Sequence, residues 1–155
     1  MKKLTAILCA ASAAIMLTAC GSDKEETVSV EITDLAEDLL ETVTSDSLSE
    51  TSESLIPSIY YLDEDAVASA VAYASSGATS CEIAVIESAE SEDVETVEEK
   101  LQTRVDNQTE LYSSYNQSEA ARLDTAIIKS TGTYTVLCVC DDTDAAEEIL
   151  ESYGF

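Results

Sequence analysis

Two periods of apolar residues alternate along this chain, and they predict different elements. Ile32, Leu35, Leu39 and Val43 recur at steps of three and four, with Glu31, Glu37, Asp38 and Glu41 between them, which is the pattern of an amphipathic helix. A longer stripe of the same period runs through Val94, Val97, Leu101, Val105, Gln108, Leu111, Tyr112 and Tyr115, with Glu95, Glu98, Glu99 and Lys100 on the solvated side. It opens near Ser91, where Glu92 and Asp93 favour the positive end of a helix dipole. A short closing helix over Ala145–Tyr153 presents Ile149 and Leu150, with Thr143 as its N-cap after Asp141 and Asp142.

Between these helices the period is two, or the apolar residues run together. Residues 66–75 carry alanines that suit a helix, but Val67, Val71 and Tyr73 alternate, and a strand is favoured. Ser76-Gly77 turns the chain into a second strand, Glu82–Glu87, so the two form an antiparallel hairpin. A second hairpin follows in Ala126–Ser130 and Tyr134–Cys140, joined at Thr131-Gly132-Thr133. Residues 44–58, rich in Ser, Thr and Glu and closed by Pro57, are expected to be a loop; Ile59-Tyr60-Tyr61-Leu62 is β-prone and Asp63-Glu64-Asp65 a turn. The fold class is therefore α+β: a single domain over 31–155, with a mainly antiparallel sheet of about four strands packed by a long helix and two shorter ones. The expected element order is α-β-β-α-β-β-α.

The first twenty residues belong to another category. Lys2 and Lys3 precede an apolar run from Leu4 to Leu17, about fourteen residues and too short for a permanent span of a hydrocarbon core roughly 30 Å thick. Leu17-Thr18-Ala19-Cys20 then resembles a lipobox, which sets cleavage between Ala19 and Cys20 and a diacylglyceryl group on the Cys20 sulfur. Residues 1–19 are thus read as a lipoprotein signal peptide, and 20–30 as the acylated cysteine and a polar tether. Two acyl chains anchor stably where one is marginal, so the expected location is the extracytoplasmic face of the cell membrane, lipid-anchored.

Charge narrows the partners. The whole chain of 155 residues has 32 acids against seven basic residues; the mature part keeps all the acids and five of the basic residues, for a formal charge of −27. Nucleic acid is excluded, because phosphate binding needs clustered Lys and Arg. With no His, Ser-His-Asp and Cys-His catalysis are excluded as well. The remaining partners are the membrane, reached through the acyl anchor, and an envelope protein, peptide, polysaccharide or divalent cation. No cofactor, metal or catalytic residue is assigned.

The segment Tyr73…Ser76-Gly77-Ala78-Thr79…Glu82-Ile83-Ala84-Val85, Arg104 within the long helix, Tyr115 at its end and Gly132-Thr133-Tyr134 occur in that order behind a lipobox. In this the chain resembles the small clostridial lipoproteins designated domain of unknown function 4358. The resemblance covers roughly residues 31–152 and implies location and approximate fold; it brings no activity.

Individual residues admit a functional and a structural reading. Arg104, one of two arginines, is either an anion anchor or an ion-pair hub amid Glu98, Glu99 and Asp106, and the hub is preferred. Glu82 and Tyr115 stand beside it as candidate ligand or hub residues. Cys81, Cys138 and Cys140 are three small core residues, one cross-sheet disulfide plus a free thiol, or a thiolate metal site. The runs Asp63–Asp65 and Asp141–Asp144 fit a turn and a helix start better than a calcium loop. The function expected is a non-enzymatic binding or accessory module of the envelope; the alternative is a carboxylate- and tyrosine-based hydrolase of a wall polymer. Replacing the anchoring residue, Cys20→Ala, should leave the chain unacylated and free of the membrane fraction. A variant that stays membrane-bound, with variant and wild type both at the precursor mass, would contradict the lipobox.

Overall fold

The computed structural model describes residues 29–155; the expected signal peptide, Cys20 and most of the tether lie outside the described residues. The described residues form five strands and five α-helices: α1 (Ile32–Leu40), β1 (Ser49–Glu50), α2 (Ile56–Ile59), β2 (Val67–Ala74), β3 (Glu82–Ser88), α3 (Val94–Ser113), α4 (Gln117–Leu123), β4 (Ile127–Thr131), β5 (Tyr134–Val139) and α5 (Thr143–Ser152). The strands make one antiparallel sheet in the order β1-β2-β3-β5-β4. The α+β class and the two hairpins stand as expected. Gly132, at φ +56°, makes the two-residue connection between the paired Thr131 and Tyr134.

Helices cover both faces of this sheet. Val71, Ile83, Val85, Val136 and Cys138 pack with Leu35, Ala36 and Leu39 of α1 and Ala146 and Leu150 of α5. Ala72, Ala84, Ile86, Leu137 and Val139 pack with Ile56, Tyr60, Val97, Leu101, Leu123 and Tyr112 on the other side. Double coverage is why Ile83-Ala84-Val85-Ile86 and Val136–Val139 read as unbroken apolar runs instead of alternating.

Four expectations are corrected. The sheet has five strands, because Ser49–Glu50, inside the expected 44–58 loop, pairs with Ala74 and Tyr73, and the Thr51 amide donates to the Ala72 carbonyl at 2.8 Å. Two residues of strand with both side chains exposed leave no apolar trace in the sequence. The β-prone Ile59–Leu62 instead ends α2: Pro57 sits in its first turn, Tyr61 takes the left-handed conformation at φ +60°, and the Leu62 amide donates back to the Pro57 carbonyl at 2.8 Å. That closure turns the Tyr60 ring into the core. The long helix stops at Ser113, so Tyr115 lies just beyond it, and the chain starts again as α4 after Asn116. Finally, Asp142 rather than Thr143 caps α5, accepting from the Ala145 amide at 3.0 Å.

Candidate functional site

Where β2 turns into β3, residues 75–81 lean over the C-terminal half of α3 and leave a cleft of about 190 Å³. Glu82, Arg104 and Tyr115, far apart in sequence, all line it. Glu82 is the first residue of β3 and faces the α3 side of the sheet, so its carboxylate is carried into the protein: it is 4% exposed. Two donors meet it there. The Tyr60 hydroxyl donates to Oε1 at 2.6 Å, and Arg104 Nε lies 3.3 Å from Oε1 and 3.2 Å from Oε2. Burial, and then the Glu82 charge, push the Tyr60 hydroxyl well above the usual tyrosine range, so it stays a protonated donor. The Arg104 guanidinium also stands 6.0 Å over the Tyr60 ring. Its other two nitrogens point along α3 to Gln108, whose amide oxygen, in the orientation that satisfies both groups, accepts from Nη1 at 2.6 Å and Nη2 at 2.9 Å.

The wall opposite α3 is made of Ser, Gly, Ala and Thr, which bury little and cannot hold themselves in place. Carboxylates and a tyrosine fix it. Asp46 accepts from the Ser75 and Thr79 hydroxyls at 2.5 and 2.8 Å, and the Ser75 oxygen accepts in turn from the Thr79 amide at 3.0 Å. From the α3 side the Tyr112 hydroxyl donates to the Thr79 carbonyl at 2.6 Å. From α4, Glu119 Oε2 accepts from the Ser80 amide at 2.7 Å and from its hydroxyl at 3.0 Å. Glu119 is 7% exposed and pairs with Arg122 Nη1, while Arg122 Nη2 bonds Asp141 at 2.9 Å. Asp141 also accepts from the amides of Thr44 and Ser45 at 2.6 and 2.7 Å, so one arginine joins α4, the end of β5 and the 44–46 segment.

The cleft opens on an apolar rim. Leu111 and Tyr115, one helical step of four apart, are 53% and 62% exposed, and the Tyr115 ring lies against Tyr112 with centroids 5.3 Å apart. Burial, and then Tyr115, push the Tyr112 hydroxyl up to about 12. Gly77 faces this opening at φ +104° with nothing within 4 Å of where a Cβ would stand, so the turn selects glycine for its backbone angle and not for space.

Arg104 is thus an ion-pair partner, but of Glu82 on the facing strand β3 and not of its helix neighbours Glu98, Glu99 and Asp106. Cys81, Cys138 and Cys140 are free and buried. Burial pushes the Cys81 thiol up, and a hydrogen bond between Cys138 and Cys140 raises the first and lowers the second to about 7. Among the described residues no three His, Cys, Asp or Glu side chains are grouped to hold a metal ion. Asp141 and Asp142 are taken up by the contacts above, and Glu64–Ala66 is a single turn of 3₁₀ helix. Asp46 and Glu119 carry no mark in the sequence that sets them apart from the other acids, and Tyr60 none that sets it apart from the other six tyrosines; Arg122 has a signal, as the only other arginine in the chain.

Acid should loosen the wall. The Ser75 hydroxyl, then Thr79 and the Ser47 amide, hold Asp46 below the ordinary carboxylate range; burial works to raise Asp141, but the Ser45 and Thr44 amides and Arg122 outweigh it and Asp141 too is lowered. A carboxylate lowered on folding contributes stability that is present above its unfolded value, about 3.9, and is lost as pH falls through the folded one. Asp141→Asn is expected to cost about 1–3 kcal/mol at pH 7, with the difference from wild type in urea unfolding shrinking below about pH 4. An equal difference at pH 7 and pH 3 would contradict this.

Searches of the curated proteins and of the solved structures return no match. The family described as a domain of unknown function, DUF4358, matches residues 41–140, which takes in β1 to β5 and every residue lining the cleft. The chain belongs to the DUF4358 family.

Proposed function

We propose that this protein is a lipid-anchored binding module on the outer face of the cell envelope, of the kind found among small clostridial lipoproteins, and that the cleft beside Arg104 is its binding site. Anchoring rests on the order Lys2-Lys3, Leu4–Leu17 and Leu17-Thr18-Ala19-Cys20. Among the described residues no helix is long and apolar enough to cross a membrane. The observation that carries the binding reading is the position of the exposed apolar side chains. Four large ones are exposed among the described residues, Leu55, Tyr61, Leu111 and Tyr115, and two of these flank Arg104, whose guanidinium the buried Glu82 carboxylate holds in place. A fixed cation between apolar edges costs little to reorganise when a ligand arrives.

The geometry favours binding over hydrolysis. Glycoside hydrolysis uses two carboxyl groups facing the scissile bond, one of them free to give up a proton. Glu82 is the only carboxylate among the residues lining the cleft, and both its oxygens are engaged by Tyr60 and Arg104. It acts as a buttress. The test is photo-crosslinking in intact cells, with benzoylphenylalanine in place of Leu111 in the full chain and, separately, in place of the equally exposed Leu55. The reading predicts a discrete adduct from position 111 only; equal labelling from both positions, or none from 111, would overturn it.

A further inference from the structure

We propose that the group held in the cleft is the C-terminal residue of a polypeptide, its free carboxylate on Arg104 and its apolar side chain on Leu111 and Tyr115. This rests on the binding reading of the same cleft and adds the class of ligand.

Size limits the choice first. Sites that enclose a whole small molecule hold roughly 300–1,000 Å³, whereas this cleft has about 190 Å³ and is open along its rim. It takes one terminal group of something larger.

Charge limits it next. Arg104 commits Nε to Glu82 and leaves Nη1 and Nη2 side by side on a neutral acceptor, the half-buried amide of Gln108. A planar pair of N–H donors fits a carboxylate in the two-bond fork geometry, and charge-assisted bonds of that type are about twice as strong as neutral ones. A carboxylate can therefore displace the Gln108 amide, which turns out towards solvent. The pair Glu82–Arg104 is already neutral overall, so a single negative charge is what the site can accept. A dianion such as phosphate, or a polyanion, would face a mature chain of 32 acids and five basic residues with one shared guanidinium to offset it.

Shape supplies the rest. Arg104, Gln108 and Leu111 lie on one side of α3 at steps of three to four residues, and Tyr115, just past its end, lines the same cleft, so the apolar rim is next to the donors. Across from them Gly77 leaves its Cβ position open, which lets a ligand backbone come close to the 75–81 segment. That segment is held by Asp46, Tyr112 and Glu119, so the site is formed before the ligand comes. A run of sugars would need a longer groove than this one.

The probes are fluorescein-labelled hexapeptides ending in Leu, Phe or Asp, each as free acid and as C-terminal amide, titrated by fluorescence anisotropy against the full acylated chain in detergent micelles. Free acids ending in Leu or Phe are expected to bind at least tenfold tighter than their amides and than the peptide ending in Asp. Gln108→Glu, which places a fixed carboxylate on the Arg104 fork and leaves the Glu82 pair intact, is expected to weaken the free acids at least tenfold. Leu111→Ser should weaken Leu and Phe peptides and leave folding unchanged by circular dichroism. Equal affinity for acid and amide, indifference to Gln108→Glu, or competition by free glucuronate as strong as by the peptide acids would overturn the proposal. Absence of peptide binding, with the crosslink at position 111 still formed, would overturn it while the binding reading stands; absence of both would sink the two together.

Discussion

Two carboxylates leave water when this chain folds, and the rest of the structure is arranged around them. Glu82 and Glu119 are the only buried acids among the described residues, and the chain has only two arginines, one beside each. A buried carboxylate without a partner costs several kcal/mol, so in a chain this acidic the arginines are placed where the penalty would otherwise fall. Surface charge is left largely uncompensated. Buried pairs of this kind seldom stabilise a fold beyond what apolar residues of the same size would do. Their effect here is positional: one fixes the floor of the cleft and the other its far wall.

That division explains why residues 75–80 can be built of Ser, Gly, Ala and Thr. Such a segment buries few apolar contacts and by itself would belong to the least stable part of the molecule. Held at Ser75, Thr79 and Ser80 by Asp46, Tyr112 and Glu119, it presents a formed surface to the exposed Leu111 and Tyr115. The thiols take no part in this surface beyond Cys81, which sits buried under it.

What could be read from the sequence follows from which residues carry a period. Helices α1, α3 and α5 bury one face each and β3 and β5 bury both, so Val97–Val105 carries a helical period and Ile83–Ile86 and Tyr134–Val139 run unbroken. β1 buries no side chain, α2 is four residues long, and α4 offers only Ala120 and Leu123 among its apolar positions, so nothing periodic marked them. Arg104, Glu82 and Tyr115 could each be singled out, yet their meeting could not, because Glu82 and Arg104 are 22 residues apart on a strand and a helix whose relative rotation no local pattern records. Glu119 and Asp46 were hidden for another reason: among 32 acids a functional carboxylate looks like its neighbours until its burial is known.

A double-mutant cycle across the Glu82–Arg104 pair tests this account most directly. Urea unfolding of Glu82→Gln, Arg104→Met and the double variant gives the coupling, and Gln at position 82 keeps an acceptor for the Tyr60 hydroxyl. Each single change strands a buried polar or charged partner, so the double variant should be less destabilised than the sum of the two, by about 1–3 kcal/mol. Additivity within about 0.5 kcal/mol would mean that the two residues do not depend on one another, and that the cleft is not held by this pair.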